Sequence, residues 1–519
     1  MAVEQITYKN IDPKVRSTIM AGLVFAMLIA CLDGTIVGTI GAAIVEDLKG
    51  FDLYSWMITS YLLCETIMIP LAGKLSDLYG RKPLFLIGLF LFVGGSFLAG
   101  MSSSMEMFII CRGIQGLGAG TLIPVATASV ADLYDPEARA KIQGALGAVF
   151  GIGSGIGPLL GAFILESVSW HWAFYINIPL AAVAFALTFK KFPTPISESK
   201  PKVDVKGMAF LSLMILALII LIEFGGNEFA WVSVESMLLI AAVVVCLLIF
   251  IMIERKAVEP VLSPHLLKNR TVILSCIFMF IFGIGMMGAM TYANLFAIKV
   301  LGFTFMEAGT YSLAMVAGMM ITAMSSGALV NKTGYKVWLI SGPIIVFISM
   351  VMMSTMDLST GPSFYALALF VLGFGLGCMM AVIMTAVQNS SKETEMGMTT
   401  SSVNLVRAIG CTMGTAIFSM IINSKMDEEL LNNLGAEAMA YINSLGFTGT
   451  GVLNILEYLD QAMQTVVLTC FCNSVSLAFL AGGAIMLFLV VIGVIFKAVT
   501  PAEVAAAEGD APVDQVTEE

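Results

Sequence analysis

"GKLSDLYGRK", residues 73–82, returns as "GALVNKTGYK" at 327–336, with Gly73, Gly80 and Lys82 matched by Gly327, Gly334 and Lys336 at a shift of 254. A second pair agrees, since Gly157 and Gly161 meet Gly410 and Gly414 at a shift of 253. Around these repeats the chain is a series of apolar segments, near 18–45, 54–72, 84–101, 106–131, 142–165, 173–189, 207–224, 233–253, 271–297, 305–330, 337–356, 363–386, 398–424 and 473–496. Apolar runs of this length cross a hydrocarbon core about 30 Å thick, so the pattern predicts fourteen spans. Six precede and six follow a central pair, 207–253, that has no counterpart in the repeat. The expected fold is an all-α polytopic membrane protein, two six-helix bundles plus two extra central helices, in which rigid bundles rock about a midplane site.

Composition excludes a soluble domain. Hydrophobic residues make up 58% of the 519, charged ones 12%, and the mean hydropathy is +0.94. The net charge of −10 says little about partners, because the acids concentrate in one outer loop and in the tail "EVAAAEGDAPVDQVTEE". Nine cysteines occur without a CxxC pair, most inside apolar runs, so neither disulfides nor a metal site is expected; only Cys470 and Cys472 fall near a membrane boundary. With the N-terminus inside, 21 of the 26 Lys and Arg fall on cytoplasmic segments, three (Lys49, Lys299, Lys425) on outer ones, and Arg112 and Arg407 within spans. This bias sets both termini in the cytoplasm of a multi-pass protein of the cell membrane. The organisation expected is a cytoplasmic N-terminus at 1–17, a first bundle at 18–190, a Pro/Ser/Lys linker at 191–206, two extra spans at 207–253, a connector at 254–270, a second bundle at 271–497 and a disordered tail at 498–519. The outer loop, 426–470, holds helical patches that suggest a small cap. The first residues lack the apolar core and cleavage site of a signal peptide. Glycosylation-like triplets at Asn269, Asn331 and Asn389 fall on the cytoplasmic side and read as chance.

Buried charges are costly in a bilayer and mark function. Asp33, in "LIACLDGTIVG", lies about 15 residues into span one, or roughly 22 Å at 1.5 Å per residue. Arg112 enters span four from the other side to a similar depth. The two are read either as a proton switch, in which withdrawal of the Arg lets the acid take a proton, or as a static ion pair. Glu65, in "SYLLCETIMIP", is a second intramembrane acid near the midplane, suited to a cation or proton, or else to a hydrogen bond with a neighbouring span. The matching positions in the second half are read as Met287 and Met319, so the proton site is expected on one side only. Asn404 and Arg407, three apart in "NLVRAIG", share a helix face, with Arg407 open to a substrate anion or to structural pairing. In "GKLSDLYGRKP", Gly73 and Gly80 permit close approach and a tight turn, Asp77 suits a helix end or an Arg, and Arg81 and Lys82 are expected at the anionic inner leaflet. Gly147, Gly151, Gly155 and Gly161, with Pro158, make a small-residue face for backbone contact. "GIGMMG" at 283–288 fits a dinucleotide pattern but lies inside an apolar span, and no GxxxxGK[ST] occurs. The 36 Met are read as core, with those facing a cavity suited to varied apolar ligands.

Taken in order, these motifs resemble the major facilitator superfamily, in particular its fourteen-span drug:proton antiporter branch. "LDGTIVGTIGAAIVEDL" resembles the branch's span-one motif, with Gly34 and Gly38 in place of more usual residues. "GKLSDLYGRKP" is similar to motif A, "RGIQGLGAG" with Arg112, Gln115 and Gly116 to motif B, and "GIGSGIGPLLGAF" with Gly151, Gly157, Pro158 and Gly161 to the antiporter motif C. "WHWAFYINIP" follows, where His171 stands for the family's usual Arg, and "VLSPHLLKNR" and "SSVNLVRAIGCTMGTAI" add to a resemblance over about 15–497. The resemblance implies alternating access, Asp33 and Arg112 in proton coupling, motif A (Gly73, Asp77, Gly80, Arg81, Lys82) as an inner gate, and motif C favouring exchange.

The resulting expectation is a proton-coupled antiporter exporting lipophilic, cationic drugs, hence a determinant of antibiotic resistance, with Asp33, Glu65, Gln115, Asn404 and Arg407 at the substrate. It needs no cofactor or metal and runs on the proton gradient; its partners are small lipophilic substrates, protons and the bilayer, with no nucleic acid, and it works as a monomer. Alternatives are a lipid or lysolipid translocator, and an organic-anion or nutrient carrier using Arg112 and Arg407. A receptor or membrane enzyme is the reading from another class, and no nucleophile and base come together for the enzyme, since His171 and His265 fall at opposite membrane edges.

Overall fold

The glycines of the repeat set the corners of the fold. Gly80 (φ 90°, ψ 156°) ends α2 (Tyr54–Tyr79) and starts α3 (Arg81–Gly100), and Gly334 (φ 78°, ψ 161°) does the same between α11 (Phe305–Thr333) and α12 (Tyr335–Ser354). Both adopt the positive φ that only glycine takes without strain. This computed structural model describes residues 11–50, 53–192, 203–225, 229–257, 259–261, 269–392, 395–444, 449–456 and 459–496. Most of the expected linker, His265 and the tail 498–519 lie outside the described residues.

The remaining long helices are α1 (Pro13–Asp47), α4 (Met105–Leu133), α5 (Pro136–Ser167), α8 (Val205–Phe224), α9 (Val234–Glu254), α10 (Arg270–Lys299), α13 (Pro362–Asn389), α14 (Met396–Ser444) and α15 (Gln461–Ile495). Two short helices, α6 (Trp172–Tyr175) and α7 (Asn177–Thr188), form the sixth segment. Among the described residues thirteen helices are long and apolar enough to cross a membrane, and 172–188 is a shorter apolar piece, which accounts for the fourteen expected crossings. Local signals start them: Asp12 and Asp135 accept from the first amides of α1 and α5, each with a proline in the first turn, and Thr304 and Glu307 form a capping box on α11.

Helices α1–α7 make one bundle and α10–α15 the other. The first has two apolar clusters, one on Phe85 and Phe92 and one on Phe108 and Phe174. The second has one continuous core through Phe278, Phe282, Phe418 and Phe479. Helix α5 joins them with two small faces. Gly144, Gly147, Gly151 and Gly155 meet Ala323, Met319 and Val316 of α11, while Gly153, Gly157 and Gly161 meet Cys31, Thr35 and Ile36 of α1. The expected single stripe is therefore split, Gly161 facing its own bundle, because glycines four apart follow one helix face and the intervening ones follow another.

The packing also gives the register of the repeat. Gly116, Gly118 and Gly120 of α4 abut Tyr61, Phe92 and Glu65, and Gly373, Gly375 and Gly377 of α13 abut Met315, Val346 and Met319, the same partners shifted by 254. Gly157 and Gly161 abut Leu32 and Ile36, and Gly410 and Gly414 abut Phe280 and Ile284, a shift of 248. Met319 is thus the counterpart of Glu65, but that of Asp33 is Ile281 rather than Met287, because the loops between repeats differ in length.

The expected outer loop is largely helical. Helix α14 runs on to Ser444 through a kink at Gly435 (φ 82°), and α15 begins at Gln461 rather than near 473. Met426 and Leu430 pack with Val452, Leu453 and Val467, and Asp427 and Asn423 accept from the amides of Gly449 and Thr450. This apolar contact draws both helices out past the expected boundary. The extra helix α8 packs between α2 and α14, through Leu211 and Ile215 with Leu63, Ile69 and Leu405. Helix α9 is mostly exposed, as a lipid-facing span would be.

Candidate functional site

Asp33 is 1% exposed and Arg112 2%, and the guanidinium Nη1 donates to Asp33 Oδ2 at 2.5 Å. Gln115, one turn along α4, closes the arrangement: its Oε1 accepts from Arg112 Nη1 at 2.6 Å and its Nε2 donates to Asp33 Oδ1 at 2.7 Å. Asn177 Nδ2, at the start of α7, donates to the same Oδ1 at 3.0 Å and to Ser96 Oγ at 2.9 Å, and Ser96 in turn donates to the Phe174 carbonyl. Arg112 also lies 4.1 Å from the ring centre of Tyr61, whose hydroxyl donates to the Ala30 carbonyl. A carboxylate with three donors and a counter-charge is what a low-dielectric interior needs to hold an ionised acid. Arg112 Nε and Asn177 Oδ1 are buried without a partner, so the network retains unfilled hydrogen-bonding capacity.

The structure brings Asp33, Arg112 and Gln115 together in one network that engages both Asp33 and Gln115. Both were expected at the substrate; Gln115 is fully buried with both amide ends used inside the network, and both Asp33 oxygens are engaged. Asn177 and Ser96 were missed by the sequence reading. The Asn of "YINIP" is a polar residue at a span boundary and its partner lies 144 positions away, so only the fold reveals the contact.

Glu65 is half-buried, and among the described residues its carboxylate has no hydrogen-bond or ion-pair partner. Arg407 and Arg112 lie within Coulombic reach of it. Asn404 and Arg407 line a narrow cleft between the bundles with Met27, Phe150, Met380 and Met384. Arg407 sits 5.1 Å from the Phe150 ring centre, and its Nε is buried without a partner. Asn404 donates back to the Thr400 carbonyl of its own helix.

Motif A forms a latch on the basic face of the bundles. The first amides of α14 are orphan donors at the positive end of the helix dipole. Asp77 reaches across from α2 and accepts from Gly397 N at 2.9 Å and Met398 N at 2.7 Å. Arg81 is bound to Asp77 at 2.6 Å and to Asp132 at 2.7 Å and is 8% exposed. It therefore does not sit at the lipid headgroups as expected, because two carboxylates hold it inward, and Lys82 lies over the Phe189 ring at 5.8 Å. Gly73 lets this crossing happen, since a Cβ there would strike Ser401 and the Gly397 carbonyl. Beside it Asn331 Nδ2 donates to the Glu137 carbonyl at 3.0 Å and Gln388 Nε2 to the Thr127 carbonyl at 2.8 Å. The cross-bundle hydrogen bonds among the described residues gather at this end, so the basic face is closed.

The comparisons with known proteins agree with this architecture. The profile of the Major Facilitator Superfamily matches residues 23–415. The chain is 35% identical over 430 residues to "Multidrug transporter protein MdtP" of Bacillus subtilis (strain 168), covering 83% of this chain and 79% of that protein. It is 34% identical over 403 residues to "Multidrug resistance protein 3" of the same organism, covering 78% and 79%. It is also 34% identical over 473 residues to the "Uncharacterized MFS-type transporter Rv1877" of Mycobacterium tuberculosis (strain ATCC 25618 / H37Rv), covering 91% and 68%. Among solved structures, the proton:xylose symporter XylE superposes with a TM-score of 0.64 at 14% identity over 96% of this chain and 100% of that one. The human organic anion transporter MFSD10 does so at 0.59 and 15% over 92% and 100%. At such identities the likeness speaks for the fold alone. With two six-helix bundles, a repeat in register and these relatives, the chain belongs to the Major Facilitator Superfamily and is a multi-pass membrane transporter, not an enzyme.

Proposed function

We propose that this chain is a proton-coupled antiporter that exports lipophilic cations from the cytoplasm across the cell membrane, as a monomer and without a cofactor. The observation that carries the reading is the Asp33–Arg112–Gln115–Asn177 network, a sealed ion pair inside one bundle with an unpaired acid, Glu65, in the adjoining α2. An ion pair in lipid is costly compared with an apolar substitute, which favours a working role. In this reading the basic face is cytoplasmic and the closed state is outward-facing. Protonation of Asp33 from outside loosens its hold on Arg112 and favours return to the inward-facing state. Substrate binding on the cytoplasmic side then expels the proton. Each proton moved inward supplies about 2.3 kcal/mol per 100 mV, with the pH gradient in addition. Met27, Met380, Met384 and Phe150 offer adaptable apolar walls, and Glu65, off that lining but within Coulombic reach of Arg407, the counter-charge. The names of the two Bacillus relatives support a multidrug substrate range.

The test uses energised inside-out vesicles with a pH-gradient dye, adding ethidium or tetraphenylphosphonium to wild type and Asp33→Asn at equal expression. Cation-driven proton release by the wild type alone is the expected result; silence of both to every cation removes the reading. A second reading, export of an organic anion or lipid headgroup, is favoured by the unpartnered Nε of Arg407 in the cleft. Efflux of a radiolabelled anion that is lost in Arg407→Gln would select it.

A further inference from the structure

The two helices between the bundles carry one acid at a place where a substrate would leave. Glu223 lies one residue before the end of α8, in a cavity of about 320 Å³ shared with Trp231, Tyr292, Thr415, Ser419 and Asn423. Helix α8 is held there by both bundles, packing on α2 and α14, with Phe224 against Trp56 at 4.9 Å between ring centres. The cavity opens away from the basic latch, along the seam between α8 and the second bundle.

The polar side chains of Asn423, Ser419 and Thr415 are already occupied. Asn423 Oδ1 accepts from Thr450 N and Oγ1, both at 2.9 Å, its Nδ2 donates to Ser419 Oγ at 3.3 Å, and Thr415 Oγ1 donates to the Thr412 carbonyl at 2.8 Å. The Glu223 carboxylate has no hydrogen-bond or ion-pair partner among the described residues. Two aromatic rings line the same cavity. Trp231 lies against Gly225, where a Cβ would fall 2.9 Å from the indole, and Tyr292 is stacked on Phe418. A single carboxylate is too few ligands for a divalent metal, and an anion would be repelled. A carboxylate beside aromatic faces in a cavity near the size of a small drug suits a bulky organic cation.

We infer that Glu223, Trp231 and Tyr292 form an outer exit site for organic cations, separate from the central cleft, and that this is what the two extra helices contribute. The inference rests on the efflux reading for its occupant, though not for its geometry. Its test is equilibrium binding of radiolabelled tetraphenylphosphonium to purified full-length protein in nanodiscs, with proton release measured in parallel vesicles. The wild type should show two classes of site, and Glu223→Gln should weaken one at least tenfold while Glu65→Gln affects the other. Glu223→Asp should keep the outer class within about threefold, and Trp231→Leu should weaken it, which carries the test if Glu223→Gln fails to fold. An isotherm for Glu223→Gln that overlays the wild type overturns the site, as does displacement of the outer class by an equal concentration of a neutral tetraphenyl analogue. Intact proton release with no Glu223-dependent binding sinks the exit site and leaves the efflux reading standing. Glu223-dependent binding with no proton release does the reverse.

Discussion

The two halves of this transporter share a fold and divide its charge unequally. In the first, the buried centre holds Asp33, Ser96, Arg112 and Gln115; in the second, the matched positions are Ile281, Met350, Leu369 and Leu372. The latch shows the same division. Asp77 reaching the start of α14 is answered by Asn331 reaching the start of α5, and the Arg81–Asp132 ion pair by a hydrogen bond of 3.1 Å from Asn389 Nδ2 to the Tyr335 hydroxyl. At these matched positions one bundle carries charge and the other has the same geometry without it, while Arg407, a buried cation of the second bundle, lies on the cleft instead. Under the proposed proton coupling, this asymmetry would give one responding half and one apolar reference.

The largest effect expected is on flux. Asp33→Asn should bring cation-driven proton release down to vesicles without the protein, at least a hundredfold, with the variant still in the membrane. Adding Ile281→Asp should not restore it, since Leu369 and Leu372 offer the new acid no donor. Rescue by that double variant would break the claim that the halves differ in kind.

Next comes stability. Arg112→Leu leaves Asp33 buried without a counter-charge and should cost about 3–5 kcal/mol, seen as a lower thermal midpoint in detergent. Converting the first half to the second with Asp33→Ile, Arg112→Leu and Gln115→Leu should recover most of that loss and remain inactive. If the triple variant is as unstable as the single one, the network is structural and the proton role loses its support. Asn177→Ala removes one donor to the Asp33 carboxylate and should lower flux at least tenfold, in line with about 1.5–3 kcal/mol for a hydrogen bond to a charged group.

How much of this was legible beforehand follows from the kind of signal each residue carries. Asp33, Arg112 and Glu65 stand out because an ionisable residue in an apolar run is conspicuous, and the repeated glycines fixed the two-bundle plan. Asn177, Ser96 and Asp132 do not stand out, since a neutral amide, a hydroxyl or an acid at a span boundary is ordinary until the fold gives it a partner. The register of the repeat was legible for Glu65 and Met319, which share the segment carrying the motif, and not for Asp33, whose helix is separated from it by loops of unequal length. Asn331 and Asn389, read as chance sequons, turn out to be neutral copies of Asp77 and Asp132.

That last correspondence gives the smallest and sharpest comparison. Asp77→Asn swaps a charged cap on α14 for a neutral one, and hydrogen bonds to a charged group are worth about 1.5–3 kcal/mol against about 0.5–1.5 for neutral ones. Asn331→Ala removes only the neutral bond to the Glu137 carbonyl. Spin labels at Lys141 and Lys332, on the facing ends of α5 and α11, read how far the basic face is open. The open fraction should rise clearly in Asp77→Asn and by no more than about threefold in Asn331→Ala. Equal opening in both would mean that packing at Gly73 and Gly327, rather than charge, holds the latch, because each glycine lets a backbone of the other bundle come within contact of its own. The unequal result would place the control of the latch in the same half as Asp33, so that a proton arriving there and the release of the basic face act on one rigid body.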